Sequence, residues 1–152
     1  MAKGVVANRT EAFSHWLSWG QPGHVARYAT PTAEMVRLVT AAGGAAVIAH
    51  PWGRGSRWVV DAGRLASLKR AGLVGIEVDH QDHTVNDRRQ LAMLAAELGL
   101  VATGSSDFHG DGKVDHELGC NLTTPDQLEL LLRAAAGNAA LSGRPVPSVV
   151  RP

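Results

Sequence analysis

Three short apolar runs, Ala45 to Ala49, Val74 to Val78 and Leu100 to Thr103, each follow a segment with helical spacing of apolar residues, and each ends in polar chemistry. No other feature of the chain restricts its fold as strongly. Strands that are apolar throughout are covered on both faces, and strands separated by helices pair in parallel. The expected class is α/β, with parallel strands alternating with helices, as in a barrel or an open doubly wound sheet. Between the strands the punctuation is legible. Behind Thr30-Pro31, a cap followed by proline at the first helical position, Met35, Leu38, Val39 and Ala42 recur until Gly43-Gly44. Asp61 is placed to cap a second helix whose Leu65 and Leu68 share a face before Gly72. Thr84 opens a third, with Asp87 three residues on and a stripe of Leu91, Leu94, Ala95 and Leu98 stopped by Gly99. Thr124-Pro125-Asp126-Gln127 reads as a capping box ahead of Leu128, Leu131, Leu132 and Ala135.

The 152 residues, 45% of them hydrophobic, suffice for one domain that buries about two thirds of its unfolded surface. Fifteen basic and fourteen acidic residues nearly cancel, so a nucleic acid cannot be held by a broad positive field and must be gripped locally. The single cysteine, Cys120, cannot form an internal disulfide, and Met1 to Thr10 contains no apolar stretch of signal-peptide type. No run approaches the roughly 18 apolar residues that span a bilayer. A cytoplasmic protein without a membrane partner is the expectation.

Parallel strands deliver their carboxyl ends to one rim, so groups about 30 residues apart in sequence should converge there. His50 follows the first strand, Asp79-His80-Gln81-Asp82-His83 the second and Ser105-Ser106-Asp107-Phe108-His109 the third. Histidine and aspartate without a matching cysteine set suit borderline and hard divalent ions, with manganese preferred and zinc or iron as alternatives. Asp107 and His109 offer two donors in a turn beyond a buried strand; alone, the pair could equally be a capping aspartate beside a surface histidine. His80 and His83 could bind metal or hold a phosphate, or belong to a polar loop before a helix. Glu77, inside an apolar strand, must be paired or face a functional interior. Arg27, Arg54, Arg57 and Lys113 are cations that could hold a phosphate, and Trp52, beside His50-Pro51, could stack on a base. The chain has no phosphate-binding loop ending in Lys-Ser or Lys-Thr, no Gly-x-Ser-x-Gly and no Cys-x-x-Cys, so nucleophilic serine or cysteine chemistry has no support.

These residues carry a resemblance to the polymerase and histidinol phosphatase (PHP) family, in particular to bacterial phosphoesterases acting on nucleoside 3′,5′-bisphosphates and on short RNA from its 5′ end. Ala41-Ala42-Gly43-Gly44 leading to Ile48-Ala49-His50-Pro51 resembles the family's late histidine motif, Gly75 to His83 its next strand end, and Gly104-Ser105-Ser106-Asp107-Phe108-His109-Gly110 its closing Asp-x-His motif. Glu11 to Tyr28 is similar to a helical arm inserted before the late histidine. The resemblance implies the C-terminal portion of a distorted seven-stranded, TIM-like barrel over residues 30–141 and an arm over 1–29; residues 142–152, with three prolines, are expected to form a loose tail. It implies His50, Asp107 and His109 as metal ligands and His83 and Arg27 as phosphate contacts, with His80 and Lys113 as further substrate-binding candidates. The family's opening His-x-His is absent. The chain is therefore expected to be a fragment, the product of a misplaced start or half of a split enzyme, completed by an N-terminal half chain or by self-association. The expected activity is divalent-metal hydrolysis of a phosphorylated small molecule or short oligonucleotide. A non-catalytic remnant serving as a binding or oligomerisation module and a histidinol-phosphate phosphatase are the alternatives.

Overall fold

A computed structural model of the chain describes residues 4–26, 28–110 and 115–146, and divides it into two compact units, Met1–Thr30 and Pro31–Pro152. In the first unit, Asn8 caps the short helix α1 (Arg9–Ala12) by accepting from the Glu11 amide, and Glu11 Oε2 accepts from the Ala7 amide at 2.7 Å. The helix runs on as a wider turn through Phe13–Leu17.

The second unit is built around three parallel strands in sequential order, β1 (Val47–Ile48), β2 (Gly75–Asp79) and β3 (Val101–Gly104). β2 is central, with Ile48 opposite Ile76 and Ile76 opposite Ala102. Around them run α2 (Thr32–Ala41), α3 (Ala62–Arg70), α4 (Val85–Leu98) and α5 (Pro125–Leu141). The core joins Ile76 and Val78 of β2 to Leu65 and Leu68 of α3, Leu91 and Ala95 of α4, and the strand leads Leu73 and Leu100. No helix among the described residues is long and apolar enough to cross a membrane.

Local chemistry accounts for most boundaries. Asp61 caps α3 by accepting from the Arg64 amide at 2.7 Å. At α4, the Thr84 hydroxyl accepts from the Asp87 amide while the Asp87 carboxylate accepts from the Thr84 amide, a reciprocal pair that satisfies two otherwise orphaned donors. Gly99 closes the helix at φ 62°, a left-handed conformation that glycine adopts without steric cost. Hydrogen bonds from Thr84 are the main cause that holds the Asp87 carboxyl below its ordinary range, with the Arg57 guanidinium adding to them. An acid depressed on folding stabilises the fold above its unfolded pKa, near 3.9, and that contribution is lost as pH falls through the lower folded value. Thr84→Ala is accordingly expected to cost about 1 kcal/mol at neutral pH, and the gap between parent and variant in thermal melts should narrow on acidification.

Several sequence expectations are corrected. The cap of α2 is Pro31, one residue later than Thr30, and no side chain bonds across it. Its buried face centres on Val36, whereas Met35 and Leu38 are about half exposed; the same spacing of three and four fits either stripe, and only packing chooses between them. At α5, Thr124 stands at the cap position but makes no side-chain cap, and the Gln127 side chain is used across space: its Oε1 accepts from the Ala102 amide at 2.8 Å. The strands also differ from the apolar runs: β1 is reduced to Val47–Ile48, and β2 and β3 each begin and end one residue later than expected. At the expected loose tail, Arg144 still donates its amide to Ala139 and Ser142 to Asn138, so the chain stays bonded to α5 there; 147–152 lie outside the described residues.

Candidate metal centre

The carboxyl ends of the three strands do meet. β1 feeds His50, β2 feeds His80 and His83, and the polypeptide beyond β3 supplies Asp107 and His116. The His80 ring is completely buried at the middle of the group, with ring centroids 5.0 Å from His50, 5.7 Å from His83 and 5.7 Å from His116. Its Nε2 lies 3.8 Å from Asp107 Oδ2. One donor atom each from His80, Asp107 and His116 falls within 4.8 Å of the other two.

The backbone is bent to make this arrangement. His50 has φ 31° and Asp107 φ 50°, positive values that β-carbon-bearing residues adopt at a cost of roughly 1–3 kcal/mol and that collect at functional positions. Glu77 Oε2 accepts from the His50 amide at 2.7 Å, which fixes the turn out of β1. Burial raises the Glu77 carboxyl above its ordinary range, and that same hydrogen bond opposes the rise. Glu77 is thus the paired buried carboxylate that its place in an apolar strand required. Burial likewise lowers the His80 imidazole from its usual value, favouring the neutral ring. Beyond β2, Arg88 ties the turn together by donating to Asp79 Oδ1 and to the carbonyls of His80 and His83.

The expected site residues separate into distinct surroundings. His83 is buried with both ring nitrogens on the main chain: Nδ1 faces the Val78 carbonyl at 3.0 Å and Nε2 accepts from the Trp52 amide at 3.3 Å. In this arrangement neither nitrogen is available to a phosphate. His109 is exposed, and its Nδ1 donates to the Asp107 carbonyl at 2.6 Å, leaving the lone pair on Nε2. Arg27 and Lys113 lie outside the described residues. Trp52 is buried, donating Nε1 to the Val60 carbonyl at 2.8 Å beneath the Arg57 guanidinium, 4.4 Å above its ring, so it presents no face to a base. Arg57 also pairs with Asp87, which occupies it structurally. Arg54 is an exposed cation, in a left-handed turn with Nε 3.8 Å from Asp82. His116 was not anticipated. It follows Asp-x-His in a stretch with no periodicity, and only the short inventory of seven histidines could have directed attention to it.

A divalent cation fits the chemistry of this donor set, since a carboxylate and imidazole nitrogens converge there. A cavity of about 630 Å³ lies away from it, at the opposite ends of β2 and β3 between Gly72, Leu73, Gly99, Leu100 and Gln127.

No family model matches the chain. Individual proteins do. The chain is 34% identical to a 3′,5′-nucleoside bisphosphate phosphatase of Chromobacterium violaceum over 76% of its own length and 41% of that protein's. It is 45% identical to a phosphoribosyl 1,2-cyclic phosphate 1,2-diphosphodiesterase of Eggerthella lenta over 55% and 30% of the respective lengths. With a 5′-3′ exoribonuclease of Haemophilus influenzae it shares 35% identity over 82% and 45%. A crystal structure from Bifidobacterium adolescentis, assigned as a metal-dependent phosphoesterase, superposes with a TM-score of 0.78 at 33% identity, covering 88% of this chain and 46% of that one. The chain spans less than half the length of each of these relatives. Parallel strands with helices between them, polar groups gathered at the strand ends and these likenesses agree: over most of its length the chain is similar to PHP-type metal-dependent phosphoesterases.

Proposed function

We propose that this chain supplies the strand-end portion of a divalent-metal phosphoesterase that hydrolyses phosphate esters of nucleotides or short RNA. The observation that carries the reading is the meeting of His50, His80, Asp107 and His116 at one end of the sheet, with strained backbone at His50 and Asp107. His50, Asp107 and His109 are the ligands implied by the motif resemblance, and manganese, zinc or iron(II) suits such a donor set. Bound cations would supply Lewis acidity toward a phosphoryl oxygen and lower the pKa of coordinated water. The protein's own groups have separable tasks. Glu77 and the main-chain bonds of His83 fix the turns that carry His50 and His80. The exposed Arg54, at the rim near Asp82, is placed to meet an incoming phosphate electrostatically. The remaining ligands are supplied by the part of the enzyme that the relatives have and this chain does not match, whether on the same polypeptide or another.

The test compares the chain alone with a chimera carrying the unmatched part of the Chromobacterium violaceum phosphatase. Phosphate release from adenosine 3′,5′-bisphosphate and nucleotide release from a 5′-phosphorylated oligoribonucleotide are measured with manganese and with chelator. Manganese-dependent turnover of at least one substrate by the chimera, abolished by chelator, is expected. A folded chimera that binds manganese yet hydrolyses neither substrate would contradict the proposal and favour a non-catalytic role.

A further inference from the structure

Hydrogen bonding by the main chain assigns a tautomer to two of the buried histidines, and the assignments differ. His80 Nδ1 accepts from the Asp82 amide at 3.0 Å, and a neutral imidazole that accepts at one nitrogen carries its proton on the other. Its Nε2 is therefore an N–H donor, without a hydrogen-bond partner among the described residues and 3.8 Å from Asp107 Oδ2. His116 is wired the opposite way. Its Nδ1 donates to the Ser106 carbonyl at 2.8 Å, which leaves a lone pair on Nε2. A ligating histidine is oriented in this manner, by donating its other nitrogen to a carbonyl, and His116 is 6% exposed, so the ring is held by packing as well. Ser106, which supplies the carbonyl, directly precedes Asp107, so both donor groups are held by one stretch of backbone.

From these contacts we propose that Asp107 and His116 bind a divalent cation between them, and that His80 acts as a positioning residue, donating from Nε2 to the Asp107 carboxylate and not binding the cation itself. The motif resemblance points to His50, Asp107 and His109; His116 adds a ligand to that set and His80 is assigned a different role from its neighbours. A coordinating His80 would need a lone pair on Nε2, which requires a proton on Nδ1 and a collision of two donors, Nδ1–H and the Asp82 amide. Closing the 3.8 Å gap to Asp107 requires only a shift of less than 1 Å. The proposal shares a cation with the functional reading above but depends on no substrate, so cation binding and phosphoester hydrolysis can fail separately.

The experiment is a zinc titration of the uniformly ¹⁵N-labelled 152-residue chain, read by long-range ¹H–¹⁵N spectra of the imidazoles. The expected result is that His116 Nε2 begins unprotonated and moves strongly on zinc loading, while His80 Nε2 carries a proton before and after. Calorimetry should show His116→Gln weakening zinc affinity at least tenfold with an unchanged melting temperature in the absence of metal. Loss of the His80 Nε2 proton with a large zinc-induced shift would make His80 a ligand and overturn its assigned role. A chain saturated with zinc whose His116 nitrogens do not move, or that binds no zinc at all, would overturn the site. Because the spectra are recorded on the parent chain, a His116 variant that fails to fold leaves the decision intact.

Discussion

Asp107→Asn is expected to weaken manganese or zinc binding by at least about a hundredfold while leaving the metal-free fold unchanged. The separation is possible because the two properties of Asp107 rest on different atoms. Its place in the site depends on main-chain geometry: φ 50°, an amide that donates to Ser105 Oγ at 3.1 Å and a carbonyl that accepts from His109 Nδ1. Asparagine tolerates the left-handed region about as well as aspartate and retains both main-chain bonds. What it removes is the negative charge that the motif resemblance and the neighbouring His116 imidazole both direct toward a cation. Outer partners of metal ligands are commonly worth ten- to a hundredfold in affinity, and loss of a charged ligand should be no smaller. Isothermal titration of parent and variant, with melting curves recorded in chelator, checks both halves. Equal affinities would remove Asp107 from the ligand set; a large drop in the metal-free melting temperature would show that the carboxylate has a structural duty.

Much of this site was legible because parallel topology makes a strong geometric promise. Once three apolar runs alternate with helices, everything just beyond the runs must share a rim, and His50, His80 and Asp107 follow without any contact being known. Thr84 with Asp87 and Gly99 were legible for a similar reason, since caps depend on residues a few positions apart. Other readings met a side chain that is engaged with a partner further along the chain than local spacing can show. Gln127 reads as half of a capping box but hydrogen-bonds Ala102, 25 positions away. His83 reads as a phosphate contact but joins the Val78 carbonyl to the Trp52 amide, 31 positions away. Trp52 beside His50-Pro51 reads as a stacking platform, yet burial under Arg57 closes its face and leaves Trp58 as the exposed indole of that loop. His116 was missed because nothing local distinguishes it from a surface histidine; its value comes from the Ser106 carbonyl ten residues earlier.

Gly104 is where a single methyl group should do the most damage to both fold and site. The glycine-rich start of the Asp-x-His loop suggests backbone kept bare for a ligand, but at Gly104 the bare backbone faces protein. A β-carbon there would sit 2.5 Å from the Leu122 carbonyl oxygen, 2.7 Å from its carbon and 3.0 Å from Asp79 Cβ. Main chain cannot swing aside as the tip of a lysine could. The segment is also pinned, because Thr123 Oγ1 accepts from the Gly104 amide and donates to the Gly104 carbonyl, both at 3.0 Å. Gly104→Ala must therefore push the end of β3 away from 121–123 and open one or both bonds. Overpacking of this kind costs about 1–3 kcal/mol, and each bond lost adds roughly 1 kcal/mol. For a unit of this size that corresponds to a fall in melting temperature on the order of 10 °C. The displaced strand end leads directly through Ser105, whose amide donates to the Asp79 carbonyl at 3.1 Å, into Asp107, so zinc affinity should fall together with stability. Gly110→Ala, at φ 79° with open space around the missing β-carbon, is the matched comparison: strain without collision, and no pressure on β3. If Gly104→Ala melts no lower than Gly110→Ala and binds zinc as the parent does, close packing of β3 against Leu122 is not what sets the position of the Asp107 turn.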